Sequence, residues 1–351
     1  MLAPIHHILG LTSIVRERVL PISGNVTVRL QQKVSANDIV AETKWAREHV
    51  LLDIARLLNV SPHVAERLVT CKVNDQLQAD AEIAKGKGLF AKSIKTPRAG
   101  HVVAVGGGQV LMAVGETKIE LRAGIPGTII QILPSKGVVI QTSGGLIQGV
   151  WGNGRIASGS LVNLADTPDA VLTPTRLDVS LRGSIILAGM IKDIETLEAA
   201  TELSVRGLIV SSIYPSLLSK AREMNYPILV TDGFGSLPMN SAAYKLLSTN
   251  AKRDVTINAE VYDRYTGAKP EVIIPLPTST DPLTPNETEE FMIGSQIRMR
   301  RPPFMGMIGS ITTIKHGLTT LPSGLQAQSA EVKLENGETV IAPLVNLEVV
   351  G

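Results

Sequence analysis

The sequence predicts a multidomain, mostly β protein containing one small α/β unit. Three observations carry this. The 31 glycines and 20 prolines punctuate 351 residues, so the chain turns often and its strands are short. Apolar residues alternate with polar ones over much of 20–42, 72–165 and 291–351, the period of a half-buried strand. Between 184 and 247, short apolar runs alternate with helical periods, as in a parallel sheet covered on both faces.

Composition sets the materials. Hydrophobic residues make up 44% but aromatics only 3%, so the cores must be built from Val, Ile, Leu, Ala and Met. A net charge of +2 gives no global pull toward nucleic acid or acidic membrane. Cys71 is the single cysteine, which excludes an intrachain disulfide and a cysteine zinc cluster. Met1 to Val15 is apolar, lacks a basic leader and holds His6 and His7; it reads as folded protein. No run approaches the roughly 18 apolar residues of a membrane helix, so a soluble, cytoplasmic protein is expected, with no membrane partner.

In chain order, Asn25 to Leu30 alternates as a strand, and Val34 to Ala41 reads as strand, turn and strand. From Lys44 to Leu58 the period changes: Val50, Leu51, Ile54, Leu57 and Leu58 share one helical face. Ser61-Pro62 can start a second short helix running to about Val69. A helical insertion over 44–70 is therefore expected within a β region spanning 1–165. Val73 to Ala84 repeats the grammar of 34–41, and Pro97-Arg-Ala-Gly-His-Val-Val103 aligns with Ala123-Gly-Ile-Pro-Gly-Thr-Ile-Ile130.

Leu164 to Thr175 reads as a linker. An α/β domain over 176–275 follows, with strands at Ser184–Ala188, Gly207–Ser211 and Pro227–Thr231 and helices at Asp193–Leu203, Tyr214–Met224 and about Asn240–Leu247. Val255–Ala259 or Glu271–Ile274 supplies a further strand. A linker rich in Pro, Thr, Asp and Glu at 276–290 leads to a last β domain, 291–351. There Glu335-Asn336-Gly337 predicts a hairpin with a type I′ turn.

Two stretches resemble known families. Val73-Asn-Asp to Ala84, followed by Thr96-Pro-Arg-Ala-Gly-His-Val102, resembles the barrel-sandwich hybrid of biotinyl and lipoyl carrier domains. The resemblance implies that fold for about residues 20–165. The carriers modify a lysine at a hairpin tip, and the matching tip, Val105 to Gly108, has none. Ile293 to Arg298 with Pro303-Phe-Met-Gly-Met-Ile-Gly-Ser-Ile311 resembles the KOW-type SH3-like barrel of transcription-elongation factors and some ribosomal proteins. Ile297, Ile308, Ile311, Val332, Leu334, Val340 and Leu344 would fill it. Pro302 stands where that family has glycine, and Met305 where it often has a basic residue.

Arg298, Arg300 and Arg301 lie beside Phe304. Alternation puts Arg298 and Arg300 on one strand face, where cations beside an aromatic ring can grip phosphates and stack a base, or dock protein. The plainer reading is a solvated face with Phe304 in the core. Asp232, Gly233 and Gly235 follow a parallel strand, the place where open α/β sheets bind ligands; the plainer reading is a glycine-requiring turn. Ile54 to Leu68, with Ala55, Asn59 and Val64 at turn and packing positions, resembles a helix-turn-helix and reads as a structural hairpin. The six histidines lack metal-ligand spacing, apart from adjacent His6 and His7. No cofactor, metal or catalytic constellation is implied.

The expectation is a non-catalytic scaffold or adaptor docking protein or RNA through folded β modules, homo-oligomerisation being open. The alternatives are a nucleic-acid-associated factor of transcription or translation acting through the C-terminal barrel, and an enzyme using the loop around Asp232.

Overall fold

A computed structural model describes residues 2–86, 92–263, 265, 267–276, 278, 282–286 and 289–351. Strand accounts for 46% and helix for 14%, distributed over several sheets. Among the described residues, no helix is long and apolar enough to cross a membrane.

The N-terminal half is a module within a module. After β1 (Ile8–Val19) and the short β2 (Lys33–Val34), the chain leaves along β3 (Ile39–Asp53). Two five-residue helices follow, α1 (Ile54–Leu58) and α2 (Pro62–Glu66). Then come β4 (Gln76–Leu77) and a small hairpin, β5 (Glu82–Lys85) with β6 (Ser93–Lys95). The chain returns through β7 (Gly100–Gly106) and β8 (Gln109–Arg122), and continues into β9 (Gly127–Leu133) and β10 (Gly137–Gln148). The proximal module pairs β2, β9, β10 and β1 in that order. The distal module pairs β4, β7, β8 and β3 in the same order.

The likeness reaches single residues. Gly100 pairs with Leu77, and Gly127 with Val34. A Cβ on Gly100 would lie 2.1 Å from the Ala113 carbonyl oxygen, and on Gly127 2.3 Å from that of Gln141. Three residues on, each strand carries one extra residue, Val103 and Ile130, a β-bulge at the same place. Ile129, Val138 and Ile140 enter the proximal core as Val102, Val110 and Met112 enter the distal one.

The helix expected from Lys44 is instead strand as far as Asp53. Its residues pair with β8 from Asp53↔Gln109 to Ala41↔Leu121. Val50 and Leu52 pack on the distal core while Leu51 faces solvent, which is alternation of period two. A long ladder with a partner strand outweighs a helical face read from five residues. The helix starts where Asp53 accepts a 3.0 Å bond from the Arg56 amide. Asn59 makes the left-handed turn between the helices, but Ala65, not Val64, is the buried residue of the second. The glycine tip between β7 and β8 lies against it, since a Cβ on Gly108 would sit 3.0 Å from Pro62. Of the alternating stretch Asn25 to Leu30, only Asn25–Val26 is strand.

The α/β unit contains β11 (Ile156–Asn163), β12 (Ile185–Leu187), α3 (Ile194–Glu202), β13 (Gly207–Ile213), α4 (Leu218–Glu223), β14 (Ile228–Phe234) and α5 (Ser241–Thr249). The four strands are parallel neighbours in chain order. Successive residues feed opposite cores. Ile186, Leu208, Val210 and Ile228 meet Leu197 of α3 and Ala221 of α4, while Ile185, Ile209 and Leu229 meet Ala243 and Leu247 of α5. Both alternatives for a further strand form, as β15 (Asp254–Asn258) and β16 (Glu271–Pro275). They run antiparallel and join β11 to β10, so the sheet continues into the proximal module. The stretch 164–175 is packed rather than a free linker: Ala165 and Leu172 are buried, and the Tyr244 hydroxyl reaches the Ala165 carbonyl at 2.9 Å.

The last region contains β17 (Gln296–Met299), β18 (Ile308–Ile314), β19 (Ser329–Leu334), β20 (Thr339–Pro343) and β21 (Leu347–Val350). The strand Ile5–His6 adds to β21 in parallel, so the two ends of the chain share a sheet. Ile297, Ile311, Val332, Leu334 and Leu344 form its core, with Val340 packed on it. The hairpin at Asn336-Gly337 forms with a different turn. Gly337 donates to Leu334 O at 2.9 Å and Leu334 to Glu338 O at 2.8 Å, and among these residues only Gly337 has positive φ, +90°. This is the three-residue loop with a glycine bulge, which needs one left-handed residue where type I′ needs two. Of the linker at 276–290, residues 277, 279–281, 287 and 288 lie outside the described residues; Leu283 O accepts from the Thr12 hydroxyl at 2.8 Å.

Candidate functional site

A buried meeting of ionisable groups joins the α/β unit to the C-terminal barrel, and it unites two residues that the sequence singled out separately. Asp232 lies at the end of β14 and Arg298 in β17. Asp232 Oδ2 accepts from the Thr231 hydroxyl (2.7 Å) and the Asn240 amide (3.1 Å), and Oδ1 from Asn240 Nδ2 (3.0 Å). Asn240 in turn caps α5 by accepting from the Ala243 amide at 2.9 Å. The carboxylate is therefore held in place by its own unit.

Arg298 closes the junction from the barrel side. Its Nη2 lies 3.1 Å from Asp232 Oδ1 and donates to Asp232 O at 2.7 Å. Its Nη1 donates to Glu348 Oε1 at 2.6 Å, and Arg298 and Glu348 are cross-strand partners. Gly233, at φ +153°, lets the barrel approach, since a Cβ there would lie 3.1 Å from the Met305 methyl. Gly235, at φ +94°, has open space where its Cβ would be. Arg298 and Asp232 are 3% and 1% exposed. A buried charge needs paired, hydrogen-bonded partners, and here each is the other's.

The basic cluster is thus split. Arg298 is turned inward, because alternation in β17 points it at Glu348 and the α/β unit. Arg300 and Arg301, beyond the strand's last residue Met299, are exposed; Arg300 Nε stays 3.9 Å from Glu348 Oε2. Phe304 is half-buried against the barrel core. Arg298 is therefore not available to a phosphate in this arrangement, and the ring of Phe304 is not free for stacking.

Two further residues, His6 and Lys269, complete the junction. His6 is 2% exposed, and its Nε2 has no hydrogen-bond partner among the described residues. Burial, then the positive charges of Arg298, Lys269 and His7, hold its pKa well below the usual value. Burial likewise lowers the pKa of Lys269, whose Nζ donates to the Ile5 carbonyl. Sequence reasoning missed His6, Lys269 and Glu348. Two left a signal: His6 in its adjacent pair with His7, and Glu348 as the one charge in an apolar strand, between buried Leu347 and Val349.

The chemistry of this arrangement is attachment. Its charges are spent on one another and are closed to solvent. Two surface depressions of about 340 and 350 Å³ lie elsewhere, one bordered by Gly24, Glu42 and Lys118, the other by Gln296, Ser310 and Lys333. Among the described residues, no three His, Cys, Asp or Glu side chains stand together as metal ligands. No protein-family model matches the chain, and no curated protein matches it in sequence.

Proposed function

We propose that this chain is a non-catalytic scaffold that docks a protein partner on the outer face of its distal module. One observation carries the reading. In the proximal module, two rows cross the outer face: Glu17, Val139, Gln131 and Val15, Gln141, Thr128. The equivalent distal rows are Leu51, Leu111, Ala104 and His49, Ala113, His101. A solvated sheet face is ordinarily polar, and four of the six proximal residues are polar, with Val139 buried at 6%. The distal face sets Leu51 (57% exposed) and Val103 (37%) in water instead. Exposed apolar residues gathered on one face mark an interaction surface.

Within this proposal the nested modules are two barrel-sandwich-hybrid-like units, 176–275 is a three-layer α/β domain and 291–351 an SH3-like barrel of KOW type, in a cytoplasmic protein. The shared strand order and bulge support the first, and the six-stranded sheet around one core supports the last. A nucleic-acid factor is the second reading, supported by exposed Arg300 and Arg301.

Affinity isolation with wild type and with Leu51→Glu/Val103→Glu tests the choice. Partners retained by wild type and lost from the variant, with unchanged melting, are the expected result. Equal recovery by both removes the distal face from the function. RNA and DNA binding over a salt series, abolished in Arg300→Glu/Arg301→Glu, would favour the second reading.

A further inference from the structure

The α/β unit has a ligand crevice in the usual topological sense, and the barrel fills it. In open α/β sheets, ligands bind beyond the carboxyl ends of adjacent strands whose connections leave toward opposite faces. β13 leads to α4, which packs with α3 on one face; β14 leads to α5 on the other. The crevice lies between these two strand ends. The register slips there, with Val210↔Val230 followed by Ser212↔Gly233, so Ser211 stands opposite the Thr231–Asp232 step. Ser211 Oγ is fully buried and has no hydrogen-bond partner among the described residues. Arg298 Nη2 meets three oxygens of that step: Asp232 Oδ1 at 3.1 Å, Asp232 O at 2.7 Å and Thr231 O at 3.5 Å.

We propose that this crevice is a guanidinium-binding site whose resident ligand is Arg298, and that an arginine side chain from outside can take its place and undock the barrel. All three oxygens belong to the α/β unit, and Thr231 and Asn240 hold the carboxylate without help from the barrel. The cradle therefore persists when Arg298 leaves. In the docked chain the planar fork spans two carboxylates, Nη2 beside Asp232 Oδ1 and Nη1 on Glu348 Oε1 at 2.6 Å, a double reach that an ammonium point charge lacks. The proposal is independent of the distal docking face.

Arg298→Ala in the full chain vacates the site, and N-acetyl-arginine amide is the probe. The expected result is a saturable rise in the variant's thermal midpoint. N-acetyl-lysine amide at equal concentration should give little, and the Arg298→Ala/Asp232→Asn chain none. Equal response to both amides, persistence in the double variant, or no response overturns the proposal. If Arg298→Ala does not fold, cross-linking reads the docked state in a chain that keeps Arg298. Ser241 and Glu335 span the same junction, 2.7 Å apart between side-chain oxygens. Cysteines there, with Cys71→Ala, are joined by a short thiol-reactive linker. Because the resident arginine competes from within the chain, arginine amide titrated upward from millimolar concentration should slow joining and lysine amide should not. An unchanged rate with both, or equal slowing by both, also overturns it.

Discussion

The proximal and distal modules share one plan in two settings. Each has a short edge strand, a bulged hairpin and a long outer strand in the same order, with matched glycines against a neighbouring carbonyl. The proximal copy is sewn through β16 and β15 into the sheet of the α/β unit. Among the described residues the distal copy has no such strand attachment: it hangs on the continuation of β3 and β8, and between the two cores residues 42–46 and 117–120 are exposed or half-exposed. Register and bulge therefore follow local sequence, whereas attachment to the body follows what lies alongside.

The sharpest way to break this comparison is to empty one core at a time. Ile140 and Met112 are equivalent and fully buried, and truncating either to alanine should cost about 2–5 kcal/mol. Ile140→Ala should lower the main melting transition. Met112→Ala should leave it in place and raise amide exchange in β7 and β8, a sub-global opening. Should Met112→Ala lower the main transition equally, the two modules are one cooperative unit.

Glycine substitution asks the same question of the backbone. Gly127→Ala and Gly100→Ala each force a methyl against a carbonyl oxygen, costing about 1–3 kcal/mol. Hydrogen exchange should show the first spread through the body and the second confined to the distal module.

Acid should act on the end-to-end junction. His6 resists protonation when folded because it is buried beside Arg298, Lys269 and His7, while the unfolded chain takes up the proton near pH 6.5. The unfolded state thus binds more protons just below that pH. Stability is full above it and falls as pH drops through it, by at most about 1.4 kcal/mol per unit for one proton. Thermal midpoints from pH 7.5 to 5.5 should fall less steeply in His6→Gln; an unchanged slope would remove His6 as the cause.

The smallest effect is expected on the distal face. Leu51→Glu should change stability by no more than about 0.5 kcal/mol while reducing partner recovery. A large loss of stability would mean that the face is structural.

Much of the local order was legible. The alignment of 97–103 with 123–130 places Val103 against Ile130, the bulged pair. Alternating apolar runs marked the strands of the α/β unit, and Asp193 and Asn240 stand at its helix caps. The stretch 44–53 was misread because Val50, Leu51 and Ile54 satisfy a helical stripe as well as a strand, and only pairing with β8 decides between them. The junction was half legible: Asp232 and Arg298 each stood out, but 66 residues apart nothing local shows that they meet.

By itself the sequence determined the turns, the strand periods, the repeated hairpin grammar and the residue types of the cores, because these depend on neighbours within a few positions. The tertiary structure alone decided that one module sits inside another, that the sheet runs on through β15 and β16, and that Arg298 faces a carboxylate and not solvent. Those outcomes depend on contacts between segments far apart in the chain, where the burial of a charge is settled by the partner that folding brings to it.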